Sequence, residues 1–180
     1  MKKKILYFYI LEQPHEIRES ITIIDLTQLL FLTPEKKNNI KSIRIENQVI
    51  DNEVREVTAI FTNKIIEQVY FVNCSFLDDG LTILSEFPNV SKIGLIQCNL
   101  SYDELENLLL YHSPYHKIKI LDLTGNELAK APKHFVDIFE RVIFPYKAVE
   151  ELILVDNGLD EYIISLIKGE INCSIEKIHI

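Results

Sequence analysis

The stretch 118-IKILDLTGNEL-128 places apolar residues at Ile118, Leu121, Leu123 and Leu128, with Asn126 before the last of them. Leu121 and Leu123 alternate with Asp122 and Thr124, which is the period of a strand with one buried face. An asparagine three residues after Leu123 can satisfy loop backbone groups as the chain leaves the strand, because its side chain both donates and accepts. Whether this is an isolated strand and turn or one unit of a repeat depends on whether the spacing recurs.

It recurs. The template L-x-x-L-x-L-x-x-N/C-x-L fits 149-VEELILVDNGL-159 with Asn157, 90-VSKIGLIQCNL-100 with Cys98, and 66-IEQVYFVNCSF-76 with Cys74 at the Asn/Cys position. It fits 40-IKSIRIENQVI-50 with Gln48 in that place and 21-ITIIDLTQLLF-31 with Leu29. The segment 175-IEKIHI-180 supplies the first half of one more unit, and Leu6 and Phe8 match the strand positions near the start. The units begin at 21, 40, 66, 90, 118, 149 and 175, so their spacings are 19, 26, 24, 28, 31 and 26.

On these residues the chain resembles the leucine-rich-repeat family over about 21–180, and in its longer units the ribonuclease-inhibitor-like subclass. The resemblance implies an α/β solenoid, a horseshoe with a parallel β-sheet on the concave face and helices on the convex face. It implies one domain over 1–180, with 1–39 as an irregular N-terminal cap and first units, 40–174 as regular repeats and 175–180 as a last strand. Cys74, Cys98, Asn126 and Asn157 are then structural repeat positions, and a buried thiol there behaves as a small, inert apolar group.

Between the strands the apolar period becomes helical. Helices are expected over 51–61, 78–88, 101–112, 133–144 and 160–169. Ser101 and Glu104 form a capping box, Asp160 is an N-cap, and Gly169 is a stop.

Composition narrows the function classes. The 180 residues carry 19 basic and 27 acidic side chains, a net charge of −8. An acidic chain has no general attraction for phosphate backbones, so no nucleic-acid partner is expected. The runs 2-KKK-4 and 36-KK-37 are too short to track a polyphosphate. The lysines and the apolar run Ile5 to Leu11 imitate the start of a signal peptide, but Glu12, Gln13 and Pro14 follow without a small-residue cleavage site, so a first strand is expected there. No apolar run reaches the ~20 residues that cross a bilayer. The odd number of cysteines, Cys74, Cys98 and Cys173, without a CxxC pair, suits a reducing, cytoplasmic-type compartment.

No nucleophile–base–orienter constellation is legible. The motif 112-HSPYH-116 could hold a metal if a third ligand folded near His112 and His116, but Pro114 between them favours an ordinary loop. His15, His134 and His179 have no legible catalytic partner. No cofactor, metal or small-molecule substrate is expected.

The remaining mode of action is recognition by shape. At the central exposed template position the residues are Asp25, Arg44, Tyr70, Gly94, Asp122, Ile153 and His179; two residues on they are Thr27, Glu46, Val72, Ile96, Thr124 and Val155. Tyr70, Val72 and Ile96 are expected to form one apolar island, and Ile153 with Val155 a second, with Asp122 and Thr124 between them. The expected function is a non-enzymatic protein–protein interaction module. Composition and irregular repeats also resemble leucine-rich-repeat effectors that intracellular bacteria secrete into host cells, which would place the protein in a host cytosol. The alternatives are a recognition or regulatory domain of a larger enzyme, and a small hydrolase or metal site near His112 and His116.

Overall fold

The computed structural model describes residues 20–23, 40–51, 54, 66–77, 80–112, 118–130, 132–138, 140–141, 149–170 and 175–180. They form an α/β structure around a seven-stranded, wholly parallel sheet. Its strands are β1 (Ser20–Ile23), β2 (Ser42–Glu46), β4 (Gln68–Val72), β6 (Lys92–Ile96), β7 (Ile120–Asp122), β8 (Glu151–Ile153) and β9 (Lys177–His179). Their spatial order is their chain order, and a two-stranded parallel sheet pairs β3 (Val49–Ile50) with β5 (Ser75–Phe76).

Register follows from the buried face. Ile43, Val69, Ile93, Leu121 and Leu152 lie in one row across the sheet, each 0 % exposed. Ile45, Phe71 and Leu95 form a second row, which Leu123 and Leu154 continue. Slipping any strand by one residue would turn its whole apolar set outward, and each such side chain contributes roughly 1.5–3 kcal/mol on burial. The first apolar residues of the units, Ile40, Ile66, Val90, Ile118 and Val149, are buried in the same core.

The backbone repeats as closely as the side chains. The carbonyl ahead of β2, β4, β6, β7 and β8 accepts two amides from the next unit: Lys41 from Glu67 and Gln68, Glu67 from Ser91 and Lys92, Ser91 from Lys119 and Ile120, Lys119 from Glu150 and Glu151, Glu150 from Glu176 and Lys177. After β2, β4, β6, β7 and β8 one residue turns left-handed: Asn47, Asn73, Gln97, Gly125 and Asp156, with φ between 51° and 72°. Two residues later Asn99, Glu127 and Gly158 do so again, whereas Val49 and Ser75 stay extended as β3 and β5. A β-branched residue such as Val49 disfavours the left-handed region, so the early units leave the strand through a short second ladder.

The first unit is displaced from its expected place. Ile21 pairs with Ile43 and Ile23 with Ile45, so Ile21 takes the second template position rather than the first, and the offset to the next unit is 22 residues, not 19. Thr22, not Asp25, stands beside Arg44; Asp25 and Thr27 lie outside the described residues.

Three α-helices are described: α1 (Tyr102–His112), α2 (Pro132–Ile138) and α3 (Glu161–Glu170). At α1 the capping box closes both ways, Ser101 N–H to Glu104 Oε2 at 2.7 Å and Glu104 N–H to Ser101 Oγ at 3.2 Å. Asp160 caps α3 by accepting from Ile163 N–H at 2.8 Å. Gly169 does not stop that helix, which runs on to Glu170; Gly169 is not among the left-handed residues, so it keeps helical geometry. The expected helix over 78–88 appears as a 3-10 helix, Gly80–Glu86. Its unit spans only 24 residues, and a 3-10 helix covers ~2.0 Å per residue against ~1.5 Å for an α-helix. Of the expected helix over 51–61 only Val54 has described helical structure. Leu105, Leu108, Ile138, Ile163 and Ile167 join the strand rows in one contiguous core. Among the described residues no helix is long and apolar enough to cross a membrane.

Candidate functional site

Because β2, β4, β6, β7 and β8 bury the same face, the opposite face presents continuous rows. One row runs Thr22, Arg44, Tyr70, Gly94, Asp122, Ile153, His179. The neighbouring row runs Glu46, Val72, Ile96 and continues to Thr124 and Val155, whose carbonyls accept Gln97 N–H at 2.8 Å and Gly125 N–H at 2.9 Å. Arg44, Tyr70, Val72, Ile96, Asp122, Thr124, Ile153 and Val155 are all half-buried. A third row, not singled out in the sequence, is Ser42, Gln68, Lys92, Ile120, Glu151 and Lys177.

That third row decides how Tyr70 lies. A methyl group on Gly94 would stand 2.4 Å from Tyr70 Cδ1, so the tyrosine ring occupies the space that any side chain on the next strand would fill. Tyr70 O–H reaches Gln68 Oε1 at 3.2 Å, and the Lys92 ammonium sits 5.6 Å from the ring centre. A cation at that distance from an aromatic face is attracted to it. The expected island of Tyr70, Val72 and Ile96 is therefore two features: a tyrosine turned toward Gln68 and Lys92, and a cross-strand Val72–Ile96 pair. Gly94→Ala should destabilise the fold by about 1 kcal/mol, by forcing the ring off the sheet. In a Tyr70→Ala background the same change should be neutral or stabilising, because glycine weakens a strand interior. Urea unfolding of the four proteins of that cycle reads this reversal of sign; additive effects would refute the stacking.

The polar residues of the face are tied to one another. Arg44 Nε donates to Glu46 Oε1, and Asp122 Oδ1 accepts both Thr124 N–H at 3.1 Å and Thr124 Oγ1–H at 2.6 Å. His179 Nε2 lies 2.9 Å from Glu151 Oε1, with Lys177 Nζ 4.0 Å from the same carboxylate. Arg44, Asp122 and Thr124 thus present charge and hydrogen-bonding capacity that is already half engaged, and such pairs fix shape more than they add stability.

Behind the face, the Asn/Cys positions form a continuous buried chain of hydrogen bonds. Asn126 Nδ2 donates to Leu95 O and Leu123 O, while its Oδ1 accepts Cys98 N–H at 3.0 Å. Asn157 does the same one unit on, with Leu123 O, Leu154 O and Asn126 N–H. Cys98 Sγ donates to Phe71 O and Cys74 Sγ to Ile45 O, each at 3.4 Å. Burial raises both thiols, Cys98 to about 12, against the lowering effect of backbone amides facing each sulfur. Since the thiolate is the reactive form, neither cysteine is suited to nucleophilic or redox chemistry at neutral pH.

Among the described residues no group of three His, Cys, Asp or Glu is placed to hold a metal ion. His116 and the side chain of His112 lie outside the described residues, as do His15 and Cys173. His134 is exposed, its ring 5.9 Å from that of Tyr102.

No protein-family model and no curated protein matches the chain.

Proposed function

We propose that the chain is a leucine-rich-repeat solenoid that acts as a non-enzymatic binding module, taking a partner protein on the open face of its sheet. The observation that carries this reading is the two adjoining rows that hold half-buried Tyr70 and Ile153, and Val72, Ile96 and Val155, on a face whose opposite side is fully buried from β2 to β8. Aromatic and apolar residues ringed by paired charges are the composition of an interaction patch. The mixed signs along the face, Lys92 and Arg44 against Glu46, Asp122 and Glu151, suit a partner of mixed charge.

The test uses the immobilised chain as bait for lysate proteins, with a variant carrying Tyr70→Ala, Val72→Ser and Ile153→Ser beside it. The triple variant should lose at least about tenfold in affinity for the captured partner, the scale of a few centrally placed contacts. A control carrying Leu77→Ser and Tyr162→Ala, exposed apolar residues off this face, should retain it. Equal capture by the triple variant and the parent chain would overturn the assignment of the face.

A further inference from the structure

Asn157 is followed by Gly158, and this is the only Asn–Gly pair in the sequence. In an unfolded chain such a pair is chemically labile, because glycine has no Cβ to shield its nitrogen or restrict its rotation. The Gly158 nitrogen attacks Cγ of Asn157. A new N–C bond forms, the Cγ–Nδ2 bond breaks, and ammonia leaves with the proton given up by the Gly158 nitrogen. Water then opens the cyclic imide at one carbonyl or the other, leaving aspartate or isoaspartate.

The folded chain holds the reacting amide still. Asn157 is 2 % exposed. Its Nδ2 donates to Leu123 O and Leu154 O, each at 2.9 Å, and to Val155 O at 3.3 Å. Its Oδ1 accepts Asn126 N–H at 2.9 Å and Leu128 N–H at 3.4 Å, and its backbone carbonyl accepts Ala129 N–H at 3.1 Å. Swinging Cγ onto the Gly158 nitrogen breaks the side-chain bonds together, in a buried turn that water must enter to complete the reaction. The unit has to open first, so the rate follows the open population.

The products do not fit the turn they came from. A carboxylate at 157 still accepts from Asn126 and Leu128 but has no donor for Leu123 O and Leu154 O. An isoaspartate also adds a backbone carbon between Asp156 and Gly158, both left-handed, at φ 57° and 67°. β8 precedes this turn directly and carries Ile153 on the open face.

We propose that Asn157 is a modification site gated by the fold: it deamidates through Gly158 only when the unit containing β8 opens, and the product prevents that unit from closing again. Opening of this part of the solenoid is thereby made one-way. The proposal does not depend on what the open face binds.

The full chain is incubated at mildly alkaline pH with and without denaturing guanidinium chloride. Tryptic peptide 148-AVEELILVDNGLDEYIISLIK-168 contains no other asparagine and no glutamine, so its mass reports conversion at Asn157 alone. Conversion should be at least about a hundredfold slower in the native chain than in denaturant, as a small open population requires. Gly158→Glu should suppress conversion in denaturant. It should also fold, because Glu127 takes the same left-handed conformation one unit earlier and a Cβ at 158 meets only Ala129 Cβ, at 3.6 Å. After removal of denaturant, the converted parent should show a lowered urea midpoint, while Gly158→Glu treated identically should recover its own. A native rate within about threefold of the unfolded rate would refute the gate. Conversion undiminished in Gly158→Glu would refute the route through Gly158, and a converted chain that regains the parent midpoint would refute the one-way step.

Discussion

Asn126→Ala should cost about 3–5 kcal/mol of folding stability. The side chain is 3 % exposed and bonds five backbone groups in two successive units. Truncation removes the Asn126 side chain from Leu95 O and Cys98 N–H, both buried in the turn, and leaves Leu123 O with the Asn157 Nδ2 donor alone. Each orphaned buried group costs roughly 1–3 kcal/mol, and the shortest of these bonds, 2.5 Å to Leu95 O, ties one unit directly to the one before it. Against a total stability of about 5–15 kcal/mol, that is a large fraction.

Two further substitutions distinguish this account from a simple cavity effect. Asn126→Cys imitates Cys74 and Cys98, keeping a weak donor and a weak acceptor, and should lose about half as much as Asn126→Ala. Asn126→Asp keeps the acceptor but faces two carbonyl oxygens with no donor, so it should be no better than alanine at neutral pH and should improve as the carboxyl is protonated in acid. Urea midpoints at constant m-value measure all three. An alanine variant within about 1 kcal/mol of the parent, or a cysteine variant as damaged as alanine, would sink the hydrogen-bond account.

The rows of the core were legible because their signal is local. Leu121, Leu123, Val69 and Phe71 alternate within a few residues, and every unit repeats the alternation. The first unit was misplaced for the opposite reason. In 21-ITIIDLTQLLF-31 apolar residues stand at 21, 23, 24, 26, 29, 30 and 31, which fills the apolar positions from a start at 21, whereas the paired register, starting at Arg18, keeps only Ile21, Ile23 and Leu26 of them. Only pairing with β2 selects that register. The membership of the open face was legible from the same alternation, but the posture of Tyr70 was not. It depends on a missing side chain at Gly94, 24 residues on in the next strand, and on Lys92 from a row the template treats as flanking. The mutual engagement of Asp122 and Thr124 was equally hidden, since i and i+2 neighbours on a strand face can meet each other or solvent with the same sequence.

The second large effect concerns pH. Burial is the dominant influence on the Cys98 thiol and pushes it from an ordinary value of 9.0 to about 12, with the amides of Cys74 and Asn73 opposing only in part. An acid that ionises later in the folded than in the unfolded chain makes unfolding release a proton at alkaline pH. Stability from this group is therefore intact below about pH 8.5 and falls as pH rises through the window from about 9 to about 12. Each unit within the window removes about 1.4 kcal/mol, giving a loss near 2 kcal/mol at pH 10.5 and near 4 kcal/mol at its end. Cys74, raised for the same reason, acts in the same direction. Cys98→Ser keeps a donor for Phe71 O but has nothing to ionise. The variant should be less stable than the parent at pH 7.5, and the gap should narrow by about 2 kcal/mol at pH 10.5. Lysine, tyrosine and Cys173 titrations are common to both proteins and cancel in the difference. Parallel pH profiles of the two would show that the sulfur at 98 meets water in the folded chain, and that the buried column stretching from Cys74 to Asn157 is open at its cysteine end.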